Sequence, residues 1–113
     1  MSQSRIETFK TMLQDHPDDA LIWYGLANEY VSLEQWSQAI EALRHVIRIN
    51  PDYPAAYQQL GLAHLNLGDV QEARRVWSEG ALVAARNGAV NAEHHINRLL
   101  ADLKTPSPSS FCA

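Results

Sequence analysis

The chain has 113 residues, 46% hydrophobic and 19% charged, with 9 Lys and Arg against 13 Asp and Glu for a formal net charge of −4. This size suits one domain and leaves no room for a separate catalytic one, and the composition is that of an ordinary globular protein. Without clustered Lys and Arg to track phosphates no nucleic-acid partner is expected, and no run approaches the roughly 18 apolar residues that would insert into a membrane.

The N-terminal stretch Met1-Ser2-Gln3-Ser4-Arg5-Ile6-Glu7 has no apolar segment and does not read as a secretory signal. Within it, Ser4-Arg5-Ile6-Glu7 has the form of a capping box that opens a helix over 4–15. Asp18 and Asp19 place negative charge at the start of a second helix, 20–33, and a third follows over 36–49. Asp52-Tyr53-Pro54 opens a fourth, 54–67, with Pro54 tolerated in a first turn where its amide would have no partner. Asp69-Val70-Gln71-Glu72 repeats the capping-box pattern before a fifth helix, 70–86, which Asn87-Gly88 ends. A sixth, 89–103, is stopped by Pro106, and the Pro- and Ser-rich 105–113 reads as a flexible tail. The single cysteine, Cys112, cannot form an internal bridge, which fits a reducing, cytoplasmic location.

The chain repeats itself. A slide of 34 residues lays Trp23, Leu26 and Ala27 over Tyr57, Leu60 and Gly61, and Ala39 and Leu43 over Ala73 and Trp77. The reverse slide lays Ile40, Leu43, Val46 and Pro51 over Ile6, Phe9, Met12 and Pro17. Large residues meet large ones, small meet small and Pro meets Pro, with spacings of three and four between them that belong to helices. Nothing alternates like a strand.

These residues resemble the tetratricopeptide repeat family, a 34-residue helix–turn–helix unit. Trp23, Leu26-Ala27, Tyr30, Ala39, Leu43 and Pro51 meet its pattern, and Tyr57, Leu60-Gly61, His64, Ala73, Trp77 and Ala85 form the second copy. His64 departs from the usual aromatic, Glu34 stands where the turn usually has a Gly such as Gly68, and Ala85 replaces the stop, so the fifth helix runs on towards Gly88. The resemblance implies an all-α fold, a right-handed α-α superhelix or solenoid of about six helices. It divides the chain into a single domain, 1–104, built of a half repeat 4–17, repeats 20–53 and 54–87 and a capping helix 89–103, followed by the tail.

Helix packing explains the residue pattern independently of the family. Two helices approach closely only over small side chains, which puts Ala27 with Ala39, and Gly61 with Ala73, at the crossings. Gly80, in mid-helix, should cost ~1 kcal/mol relative to Ala, so another helix is expected against it. In the last helix the stripe Ala92, Ile96, Leu99 and Leu103 is one residue out of step, and the extra residue is placed in Arg86-Asn87-Gly88.

Nothing points to catalysis or to a cofactor. The histidines His16, His45, His64, His94 and His95 lack metal-ligand spacing, and the adjacent pair His94-His95 diverges by about 100° on a helix. His64 reads as a core histidine with a hydrogen-bond partner, and Glu41 with Arg44 and Glu72 with Arg75 as surface pairs at helical spacing. Function is expected on the concave surface, where the first helix of each pair lines a groove with Leu21, Tyr24, Asn28 and Val31, then Ala55, Gln58, Leu62 and Leu65. The alternative is that the last helix and the tail cover Leu62 and Leu65.

By resemblance, Asn28 holds the backbone of a bound peptide. Relatives that clamp the acidic C-terminus of heat-shock chaperones use Lys and Arg, which this face lacks, so that activity is not expected. The leading reading is an adaptor or scaffold that takes a short peptide or helix of another protein. The runners-up are a self-associating structural module forming a weak homo-oligomer and, by family analogy, an accessory subunit of a secretion, pilus or chaperone assembly.

Overall fold

The computed structural model describes residues 2–104, with the side chains of 4–103. Six helices follow in order: α1 Ser2–Asp15, α2 Ala20–Ser32, α3 Trp36–Ile49, α4 Pro54–Asn66, α5 Val70–Arg86 and α6 Val90–Lys104. Each packs on its neighbours in the chain, in the right-handed superhelical arrangement of a solenoid. The tail 105–113, with Cys112, lies outside the described residues. Among those residues no helix is long and apolar enough to cross a membrane.

The helix ends correct several expectations. Nothing in Ser2-Gln3 breaks a helix, so α1 starts at Ser2 and Ser4 lies inside its first turn rather than at the cap position, its backbone carbonyl accepting from Thr8 Oγ1 at 3.0 Å. Asp19 caps α2, accepting from the Leu21 amide at 3.0 Å, and Asp69 caps α5, accepting from the Glu72 amide at 3.2 Å. The returning half of the second box does not form, because the Glu72 carboxylate is taken by Arg75 Nε at 2.8 Å and the Asp69 amide donates to His64 O at 2.9 Å. Asp52 caps nothing, since Arg86 Nη2 from α5 binds its carboxylate at 2.9 Å.

Two connector types alternate up to α5. Residues 16–19 and 50–53 are longer links, and each fixes the aromatic that follows: Trp23 Nε1 donates to Pro17 O at 2.8 Å and Tyr57 OH to Pro51 O at 2.9 Å. The turns after α2 and α4 are tight, with Gln35 N donating to Tyr30 O and Asp69 N to His64 O, both at 2.9 Å. They place Glu34 at φ 57° and Gly68 at φ 84°, in the left-handed region that favours glycine. The link from α5 to α6 adopts this tight form, with Ala89 N to Ala84 O at 2.8 Å and Gly88 at φ 70°. With no proline at Ala85, α5 runs for 17 residues against 14 in α3. The register change therefore arises from the lengthened α5, not from one residue inserted at Arg86-Asn87-Gly88, and α6 begins two residues later than a 34-residue frame requires.

The interior follows residue size. Ala27, Ala39 and Ala73 are fully buried, and a side chain on Gly61 would collide with the Trp77 indole. Gly80 lies against Tyr57 Cβ and Ile96 Cδ1, the close neighbours expected for it. One cluster centres on Leu43, Val46, Tyr57 and Leu60, and a second joins Trp77 to Ile96 and Leu100 of α6, where Leu100 adds to the expected stripe. At the N-terminal end Ile6 is buried, the Phe9 ring sits against Gly25, and Arg5 Nη1 reaches Glu29 Oε1 at 3.6 Å.

Candidate functional site

The surface shared by α2 and α4 starts from their outward residues. Leu21 is 68% exposed. One turn on, Tyr24 is half-buried with its ring 5.0 Å from that of Tyr53, supplied by the connector before α4. Burial, and then the proximity of Tyr24, raise the pKa of the Tyr53 phenol above its ordinary value of 10.0. Asn28 Oδ1 accepts from Gln59 Nε2 at 3.3 Å, tying α2 to α4 by a pair of amides. Val31, Ala55 and Gln58 are half-buried, and the Gln58 carbonyl accepts from Trp77 Nε1 at 3.1 Å. Leu62 and Leu65 pack on the Trp77–Ile96–Leu100 cluster beside Leu99 and Leu103 of α6.

The predicted positions thus divide. Leu21, Tyr24 and Asn28 form a surface with Tyr53 and Gln59, whereas Leu62 and Leu65 turn towards α6. Tyr53 and Gln59 were not among the expected residues. Their signal is faint: Tyr53 stands in a connector, and Gln59 is the second of two adjacent glutamines.

Other side chains carry less. His64 is buried and burial lowers its pKa below 6.5, but its ring makes no hydrogen bond within the described residues, contrary to expectation. Its neighbours on that side are the walls of a cleft rather than a fixed acceptor. Arg75 pairs with Glu72 and, at 3.4 Å, with Glu79. These contacts hold the Glu72 carboxyl below its usual range, chiefly through the Arg75 hydrogen bond. Among the described residues the surface pair expected between Glu41 and Arg44 is not formed. Nor does any group of three or more His, Cys, Asp or Glu come together among them as a metal site.

On the opposite surface, stacking creates two clefts that the sequence pattern does not announce. One lies between α1 and α3 over α2, with a volume of about 410 Å³; the other lies between α3 and α5 over α4, at about 140 Å³. Every lining position of the first recurs in the second 34 residues on. Leu13, Trp23, Leu26, Tyr30 and Ala42 become Ile47, Tyr57, Leu60, His64 and Val76. At the rims Lys10, Gln38, Glu41 and His45 become Arg44, Glu72, Arg75 and Glu79. In the first cleft the His45 ring stacks on Trp23 at 3.9 Å, 11° from parallel, and Arg48 Nη2 lies 3.1 Å from His45 Nδ1. The slide by 34 residues holds the signal for this pairing, but a cleft exists only once neighbouring pairs stack.

Paired helices on a common 34-residue plan, with side chains exposed along a shared face, define a helical repeat protein. The chain belongs to the tetratricopeptide repeat family. The family's TPR repeat model matches residues 27–68. A TPR repeat-containing protein of Pseudomonas aeruginosa is 33% identical over 98 residues, covering 87% of this chain and 93% of that protein. Among solved structures, PcrH in complex with the chaperone-binding region of PopD superposes with a TM-score of 0.87 at 19% identity, covering 91% of this chain and 78% of that one. The TPR2B domain of yeast Sti1, solved as a complex with pHsp70, gives 0.81 at 17%, covering 88% and 79%. At these identities the structures bear on the fold alone.

Proposed function

We propose that this protein is a cytoplasmic adaptor that holds a short peptide or helix of a partner protein on the face of α2 and α4, by shape and amide hydrogen bonds rather than charge. Leu21, Tyr24, Asn28, Val31, Ala55 and Gln58 line that groove, and it ends where Leu62 and Leu65 pack towards α6. The observation that carries the reading is the Tyr24–Tyr53 ring pair beside the Asn28–Gln59 amide pair, next to an exposed Leu21. Aromatic and amide groups held in place but not covered are what an interface core uses. PcrH and the Sti1 domain, solved with the PopD region and with pHsp70, support a binding role for the shared architecture. The half repeat 4–17, the repeats 20–53 and 54–87 and the cap 89–103 then act as one scaffold without cofactor or enzymatic role. With two full inner helices the contact is small, and an affinity of roughly micromolar order follows.

The test is capture of partners from the source cells by wild type and by a Leu21→Ala/Asn28→Ala variant, with melting temperatures measured for both. Leu21 is exposed and the Asn28 bond joins two surface amides, so melting should shift little. A partner retained by wild type and lost by the variant is the expected result. Equal recovery of every partner by both proteins would refute the groove.

A further inference from the structure

The α1–α3 cleft lies on the other side of the molecule and shares no residue with that groove. At about 410 Å³ it falls within the size range of ligand pockets, whereas its counterpart at about 140 Å³ does not. We propose that the α1–α3 cleft is a seat for an arginine side chain presented by a partner protein.

The counterpart shows what such a seat looks like when occupied from within. There Arg75 is gripped by Glu72 at 2.8 Å and reaches Glu79 at 3.4 Å, while Val76 fills the floor. In the α1–α3 cleft those positions are Glu41, Gln38, His45 and Ala42. The internal cation is gone, a carboxylate stands in its place, and the floor is smaller. Among the described residues the Glu41 carboxylate makes no ion pair, and neither the Tyr30 hydroxyl nor the Gln38 amide is engaged.

An occupant must supply what is missing: apolar length over Ala42 and Leu26, and a positive head for Glu41. Tyr30 walls the cleft with aromatic surface, which attracts cations as well as aliphatic chains, whereas one face of Trp23 is already covered by the His45 ring at 3.9 Å. Lysine and arginine both have such a stem. Arginine fits better, because its planar guanidinium stacks on a ring while binding a carboxylate through two hydrogen bonds. Lys10 on the α1 rim, and Arg44 and Arg48 beside Glu41 on α3, carry a like charge and weaken the seat.

The experiment titrates the protein with a blocked Gly-Arg-Gly tripeptide and with its Gly-citrulline-Gly and Gly-Leu-Gly analogues, following the Trp23 indole N–H by NMR. The arginine peptide should move that signal and saturate it. Glu41→Gln should weaken binding about fivefold and Lys10→Ala should tighten it about twofold, the scale of exposed ion pairs. Both residues are exposed, so unchanged melting is expected and serves as the control for folding. Ala42→Val, which copies the filled floor, should also weaken binding. Citrulline or leucine peptides binding as well as arginine would overturn the proposal. So would an unmoved Trp23 signal up to the solubility limit of the peptide, or an affinity indifferent to Glu41→Gln. None of these failures would touch the α2–α4 groove.

Discussion

The helix pairs α2–α3 and α4–α5 share one plan but fill it differently. In the first, Ala27 and Leu43 lie in one buried cluster; at the same two positions in the second, Gly61 lies against Trp77. A smaller residue on one helix matches a larger one on the other, so the crossing keeps close contact in both. The tight turn is closed by Glu34 in one pair and Gly68 in the other, and the following helix pairs its surface charges in the second only. Hydrogen bonds to backbone carbonyls that recur 34 residues apart hold the plan constant while side-chain volume and charge are traded.

The largest effect is expected at the size exchange. Trp77 is 1% exposed and donates to Gln58 O, so Trp77→Ala should cost roughly 3–5 kcal/mol in urea or thermal unfolding, a large part of a small domain's stability. Gly61→Ala should cost about 1–3 kcal/mol by driving a methyl group into the indole. Trp77→Leu in the same chain removes the collision, so the double variant should lose less than the two single losses combined, although the indole's packing on Ile96 and Leu100 is also given up. The two substitutions therefore couple strongly. Strict additivity across that cycle would show that the exchange is incidental.

Much of this plan is legible in the order of the amino acids. The 34-residue slide aligns small with small and large with large, and it places α3 and α5 at their observed limits because proline, Asp69 and Asn87-Gly88 act within a turn of the residues they control. What escapes depends on partners far along the chain. Asp52 looks like a cap until Arg86, 34 residues away, takes its carboxylate. Whether Leu62 and Leu65 face a groove or a neighbour depends on where α6 lands, which the length of α5 decides. Tyr53 and Gln59 join the site only through contacts with α2, and the two clefts arise from stacking rather than from any single helix.

A smaller difference between the pairs is Tyr30 against His64. Burial disfavours the charged imidazolium, assisted by Arg44 and Arg75 and opposed by Glu72 and Asp69. The folded pKa thus lies below the ordinary 6.5, and as pH falls the unfolded chain takes up the proton first. Stability is full above that value, declines as pH drops beneath it, and levels off below the folded pKa. Glu72, itself held low by Arg75, loses its share only below its ordinary 4.5 and does not confuse this window. His64→Tyr copies the first pair and removes the titration. Melting between about pH 7.5 and about 5.5 should then fall less steeply than in wild type. Equal slopes would show that His64 is not the group responsible.

The smallest expected effect is at the turn. Glu34 at φ 57° carries a side chain where Gly68 carries none, and a non-glycine residue in the left-handed region costs roughly 1–2 kcal/mol. Replacing it by glycine removes that cost but restores backbone freedom to the unfolded chain, a loss of about 0.5–1 kcal/mol. Glu34→Gly should therefore stabilise by about 0–1.5 kcal/mol, a rise in Tm of a few degrees. The converse change, Gly68→Ala, should lower Tm although a Cβ there meets nothing within 4 Å, because the penalty is conformational and not steric contact with neighbours. Opposite signs at the two equivalent positions would show that both turns require the same backbone and differ only in which residue supplies it. A fall in Tm for both substitutions would mean that the Glu34 side chain stabilises its turn by more than the strain it carries.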